Sequence, residues 1–222
     1  MKSKLSRFLL AAIFAITGHA AYAATYSYEF LTEFSGGTPP DATAPWATLS
    51  FTDVIGGVEL DLHLSGLTSP ENAKFFGFNF GPNPGNAALQ TRLSGLTFTN
   101  TGGQAASSIS APTLNAYKAD GDGFFDILFN YPTSGDYFGA GEHSIYKITG
   151  SSVTASDFNY QSLTGGGNGI WYSALHVQQT GTSNGGSGWI GATVAAPVPE
   201  PEIYAMLAAG LGLMGFVARR RK

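Results

Sequence analysis

Three carboxylates on a short, glycine-broken stretch are the residues best spaced to do chemistry in this 222-residue chain. Asp120, Asp122 and Asp126 fall on the third, fifth and ninth positions of a calcium-binding loop, with Gly123 on the sixth, where the backbone must bend sharply. Oxygen ligands at alternate positions around such a bend suit a hard cation. The first position, however, is Lys118 and the twelfth is Phe129, so an ammonium replaces one ligand and the bidentate carboxylate is missing. Two readings stay open: a Ca²⁺ site outside the helix-loop-helix pattern, or a Gly/Asp hairpin turn leading into a strand over 124–131.

Glu59, Asp61 and His63 share one face of a predicted strand, with alternate residues about 7 Å apart. That separation lies in the range used by inverting glycosidases, yet every alternating carboxylate pair on a strand has it. A solvated polar face is the competing reading. His176 could join His63 or His143 around a metal, although no H-x-H or H-E-x-x-H spacing supports this over a hydrogen-bonded structural histidine. Trp46, Trp171 and Trp189 could stack on sugar rings or fill a core. Trp171, in a strand between Gly-rich loops, is the best placed of them for sugar contact. There is no cysteine, which removes thiol nucleophiles and Cys-ligated metals, and no G-x-S-x-G elbow. No catalytic residue emerges, no cofactor is required, and the reading is of a protein that is not an enzyme.

Short runs with period-two alternation position these residues. They occur at 25–34, 47–53, 58–64, 75–80, 93–100, 124–131, 144–149, 153–158, 170–178 and 189–194, between clusters of Gly, Pro, Asn and Ser. Val58, Leu60, Leu62 and Leu64 point one way while Glu59, Asp61 and His63 point the other. No stretch of the body has sustained helical period, apart from a short helix expected near 69–74. The pattern predicts an all-β domain, an antiparallel β-sandwich with a jelly-roll-like order and two packed sheets.

The two ends of the chain differ from its body. Lys2, Lys4 and Arg7 precede a short apolar run, and Ala21 and Ala23 supply the small residues that a signal peptidase accepts, so residues 1–23 read as a signal peptide. The body spans 24–194. A Pro-rich linker, 195–202, leads to a sixteen-residue apolar run, 203–218, and the basic residues 219–222. That run rises about 24 Å as a helix, at the short edge of a membrane span. The terminal cations would remain cytoplasmic, leaving the body outside. Gly210, Gly212 and Gly215 spell G-x-G-x-x-G, but lack the preceding strand and later acid that a dinucleotide site needs.

Removing the ends exposes the charge of the body. It keeps only Lys74, Arg92, Lys118 and Lys147 against thirteen acids, a net charge of −9 rather than the −4 of the whole chain. Such a surface repels phosphate backbones and excludes nucleic acid as a partner.

Pro199, Glu200 and Pro201, the apolar run behind them, and Arg219, Arg220 and Arg221 resemble the sorting signal of the PEP-CTERM family. Glu202 departs from the pattern, since the family more often has a small residue there. The resemblance implies a Gram-negative, exopolysaccharide-making bacterium and an exosortase that cleaves near the Pro-Glu-Pro. It implies export through the inner membrane, transient anchoring by the C-terminal helix, and release to the outer surface or extracellular matrix. Segments 125–132 and 176–178 resemble uncharacterised secreted domains of other such proteins and bring no activity with them. The functional expectation is a surface or biofilm-matrix protein associated with exopolysaccharide. A carbohydrate-binding module is the alternative, and a polysaccharide-active glycosidase a more distant one.

Overall fold

The alternation along each segment becomes, in three dimensions, an inside and an outside. The computed structural model describes residues 23–195, apart from Gly121 and Asn168. The first strands are β1 (Thr25–Glu33), β2 (Ala47–Val54), β3 (Gly57–His63) and β4 (Asn72–Phe78). A short helix, α1 (Ala87–Ser94), precedes β5 (Thr97–Gly103) and β6 (Ser108–Ser110). A hairpin of β7 (Tyr117–Ala119) and β8 (Asp122–Phe125) follows, then β9 (Ile127–Asn130), β10 (Phe138–Gly139) and β11 (His143–Thr149). A 3₁₀ turn (Ala155–Phe158) leads to β12 (Ser173–Thr180) and β13 (Gly186–Val194).

All strand pairs are antiparallel, and eleven strands join in one sheet of order β5-β11-β3-β2-β1-β13-β12-β4-β9-β6, with β10 on β4. The two layers expected from the sequence are halves of this single curled sheet. Its far ends face each other across the core: Phe129 on β9 makes edge-to-face contacts with Phe98 on β5 at 5.6 Å and Tyr146 on β11 at 4.9 Å. The arrangement is barrel- or sandwich-like. Burial drives the curling, because Phe30, Leu60, Phe76, Phe78, Phe129, Leu175 and Ile190 are wholly buried in one cluster. Each such side chain contributes about 2 kcal/mol relative to exposure.

Two local expectations are corrected. The segment near 69–74 begins strand β4, and the helix lies at 87–94 instead. Asn86 caps it by accepting from the Leu89 N–H at 2.9 Å, and Leu89 and Leu93, one turn apart, are its buried residues. Residues 155–158 form a 3₁₀ turn rather than a strand, closed by a capping box between Thr154 and Asp157. Arg92 reaches from the helix to Asp157 at 2.7 Å and ties the two together.

A second, smaller cluster sits on the outer face. Ala174 on β12 lies opposite Gly191 on β13 and Gly77 on β4, giving a row of small residues across three strands. Trp171, Phe125 and Phe34 fill the space above that row, with Phe34 and Trp171 stacked at 5.2 Å. A Cβ on Gly191 would lie 2.3 Å from the Trp171 ring, so glycine is required there by the close approach.

Candidate functional site

The three carboxylates of the calcium reading are not brought together. Asp126 interrupts the strand expected over 124–131, separating β8 from β9, and turns into the core. Its two oxygens accept from the Phe80 N–H at 2.8 Å and the Asn115 N–H at 2.6 Å, so it ties neighbouring segments together from inside. Burial raises its pKa above the usual carboxylate range, against the lowering effect of those two hydrogen bonds. Asp122 is buried facing Gly167, whereas Asp120 is exposed at the hairpin turn. Among the described residues no group of three or more histidine or acidic side chains could hold a metal ion. The Gly/Asp hairpin reading describes the segment, with Asp120 and Gly123 both at positive φ.

Trp171 is also placed differently from expectation. It is 9 % exposed, pressed between Phe34 and the Gly191 backbone, so its ring faces do not meet solvent as a sugar platform. Trp46 is buried as well and donates its indole N–H to the Ala42 carbonyl. Trp189 alone of the three is left half-buried on the outer face.

Two outer-face constellations remain, at opposite halves of the sheet. On β3 the alternation is as expected: Val58, Leu60 and Leu62 are buried, while Asp61 and His63 reach the surface. His143 on β11 lies directly opposite His63, and their rings stack at 3.8 Å. The Asp61 carboxylate meets His143 Nδ1 at 2.8 Å. Desolvation and the neighbouring His143 lower the pKa of His63, while Asp61 and a bond to the Gly141 backbone oppose the shift. Open depressions flank the cluster, bounded by Glu29 and Thr48 on one side and by Glu142 and Asp136 on the other. Glu59 lies two residues along β3, opposite Lys147. His176 does not belong to this group, because four strand steps, about 19 Å of sheet, separate β12 from β3.

His176 has its own neighbours. In the register of the sheet, Trp189 on β13 and Phe75 on β4 lie on either side of it. Ring centroids are 5.0 Å apart for His176–Trp189, 5.8 Å for Phe75–His176 and 6.2 Å for Phe75–Trp189. The Phe75 and Trp189 planes are within 10° of parallel. Lys74 places its ammonium 4.8 Å from the Phe75 ring centre. Burial, then the Lys74 charge, holds the His176 pKa below the ordinary histidine value, with Asp120 pulling the other way. His176 Nδ1 is buried with no hydrogen-bond partner. The strand alternation flagged His176, but its partners come from sheet register, which spacing along the chain does not reveal.

Pro199, Glu200, Pro201, Arg219, Arg220, Arg221, Ala21 and the apolar run 203–218 lie outside the described residues. Ala23 is the first described residue and is exposed. Among the described residues no helix is long and apolar enough to cross a membrane. No curated protein and no solved structure matches the chain. Residues 197–222 match the family model described as the PEP-CTERM protein-sorting motif, over the residues singled out in the sequence. The chain therefore carries a PEP-CTERM sorting motif, the mark of an exported protein that an exosortase processes.

Proposed function

We propose that the β-domain is a surface or biofilm-matrix component that associates with exopolysaccharide after sorting. The observation that carries this reading is the match of residues 197–222 to the sorting motif. Signal peptidase removes residues 1–23, the run 203–218 anchors the protein transiently, and the exosortase then releases the body outward. The exposed position of Ala23, two residues ahead of the start of β1, supports that N-terminal cut. The strongly acidic body supports a role away from nucleic acid and anionic lipid. Pairing of early with late strands, β1 with β13 and β3 with β11, supports a jelly-roll-like wrap, a shape that leaves broad outer faces for binding. The role is one of binding, and no reaction is assigned.

Fractionation of producing cells with and without the exosortase tests the reading, with separate antibodies to body and tail. The body is expected in the matrix fraction of normal cells and in the inner-membrane fraction of the deletion strain. A body that stays with the inner membrane in both strains overturns it.

A further inference from the structure

The row Trp189–His176–Phe75 is the uncovered neighbour of a covered row. One step along the same strands, Gly191, Ala174 and Gly77 form the floor beneath Trp171 and Phe125. The small residues make room for that cover, while the next row is aromatic and only half-buried. The row continues in register over two further strands, to Asn130 on β9 and Ser108 on β6. Asn130 Nδ2 donates to Ser108 Oγ at 3.1 Å, leaving polar groups at the end of an aromatic strip. Ser187 and Gln178 follow on β13 and β12, also at the surface.

The charges around the strip are balanced. Lys74 stands over Phe75, and Asp120 at the hairpin turn acts on His176 with the opposite sign. Near-parallel rings for apolar C–H faces, bordered by amides, hydroxyls and one charge of each sign for hydroxyl groups, is the chemistry that recognises a sugar ring. A folded protein partner suits the place less well. The large exposed apolar residues, Leu31, Ile55, Tyr137, Tyr160, Ile170 and Val194, all lie outside the row. Three half-buried rings are far less than the roughly 800 Å² per partner of a stable interface.

We infer that Trp189, His176 and Phe75, with Lys74, Asn130 and Ser108, form a binding site for a pyranose polysaccharide chain lying across the strands. The site rests on the reading of the protein as polysaccharide-associated and gives that association an address. Trp189 and Phe75 supply stacking surface, Lys74 and the amides meet hydroxyls, and His176 packs against both rings from the strand between them.

The test is affinity electrophoresis of the full chain in mild detergent, through gels containing exopolysaccharide purified from the producing cells. Wild type is expected to be retarded, and Trp189→Ala and Phe75→Ala to lose affinity by about tenfold or more. Trp189→Phe keeps a ring and is expected to retain most of the binding, and Lys74→Gln to lose a few-fold. His63→Asn, on the other half of the sheet, is expected to bind as wild type does. Circular dichroism separates loss of binding from loss of fold, and Lys74→Gln, a change at the surface, gives a readout even where a ring deletion unfolds. Retardation of wild type with unchanged retardation of all the strip variants overturns the site and leaves the polysaccharide reading standing. No retardation of wild type overturns both. Retardation that survives glycosidase digestion of the gel polymer identifies a protein contaminant as the partner and also overturns the site.

Discussion

His63 on β3 and His176 on β12 are both outward residues of interior strands, yet their surroundings are opposite. His63 stacks on His143, bonds to Gly141, and sits beside an Asp61 already committed to the His143 ring. Every member of that group has a partner within the protein. His176 packs against both Trp189 and Phe75, with one ring nitrogen buried and unpartnered. The contrast shows how one alternation pattern yields two kinds of surface. Where cross-strand neighbours are polar, the face satisfies itself; where they are aromatic, it leaves ring surface half-exposed.

The largest effect expected from breaking this comparison lies beneath the aromatic half. Trp171→Ala removes the cover of the small-residue row and is expected to destabilise the domain by about 3–5 kcal/mol in denaturant titration. A change below about 1 kcal/mol would mean that Trp171 has no structural role and would return it to the surface candidates.

Acid pH probes both halves at once with a smaller effect. His63 and His176 have folded pKa values below the ordinary histidine value, with burial the leading cause in each. The unfolded chain therefore takes up protons first, so their contribution to stability is present above about pH 6.5 and is lost as pH falls from there toward the folded values. Melting temperature is expected to decline from neutral pH toward pH about 5, with a shallower slope in His176→Phe. Equal slopes in the two proteins would show that His176 is not the desolvated partner in this comparison.

The smallest effect belongs to the self-satisfied half. Asp61→Asn weakens the contact with His143, whose side chains are 31 % and 42 % exposed respectively, and is expected to cost about 0.2–1 kcal/mol. A loss of several kcal/mol would place the group in the structural framework of the sheet.

Much of the scaffold was legible because alternation is a local property. Val58 to Leu64 gave the buried face of β3 directly, and strands β1, β2, β11 and β13 follow the same logic. The helix at 87–94 escaped because two turns with only Leu89 and Leu93 buried leave little periodic signal. Asp126 misled because a carboxylate in a Gly/Asp-rich segment looks solvated, while its role depends on Phe80 and Asn115, brought near by folding. Trp171 misled in the same way, although glycines at 77 and 191 within apolar strands were a readable sign of close approach. The aromatic strip was hidden most completely, since Phe75, His176 and Trp189 come from three strands and meet only through register.

One feature of the sheet has a mechanical side. Strand β13 is hydrogen-bonded on both edges, to β1 and β12, and its end continues through Ala195, whose N–H donates to the Ser27 carbonyl, toward the tail. Trp189 is on that same strand. Tension between a group held at Trp189 and whatever holds the chain beyond Ala195 would run along a short length of one covalent chain. The ladders on either side would carry it in shear, together with the core contacts of Ile190 and Ala192 on the same strand.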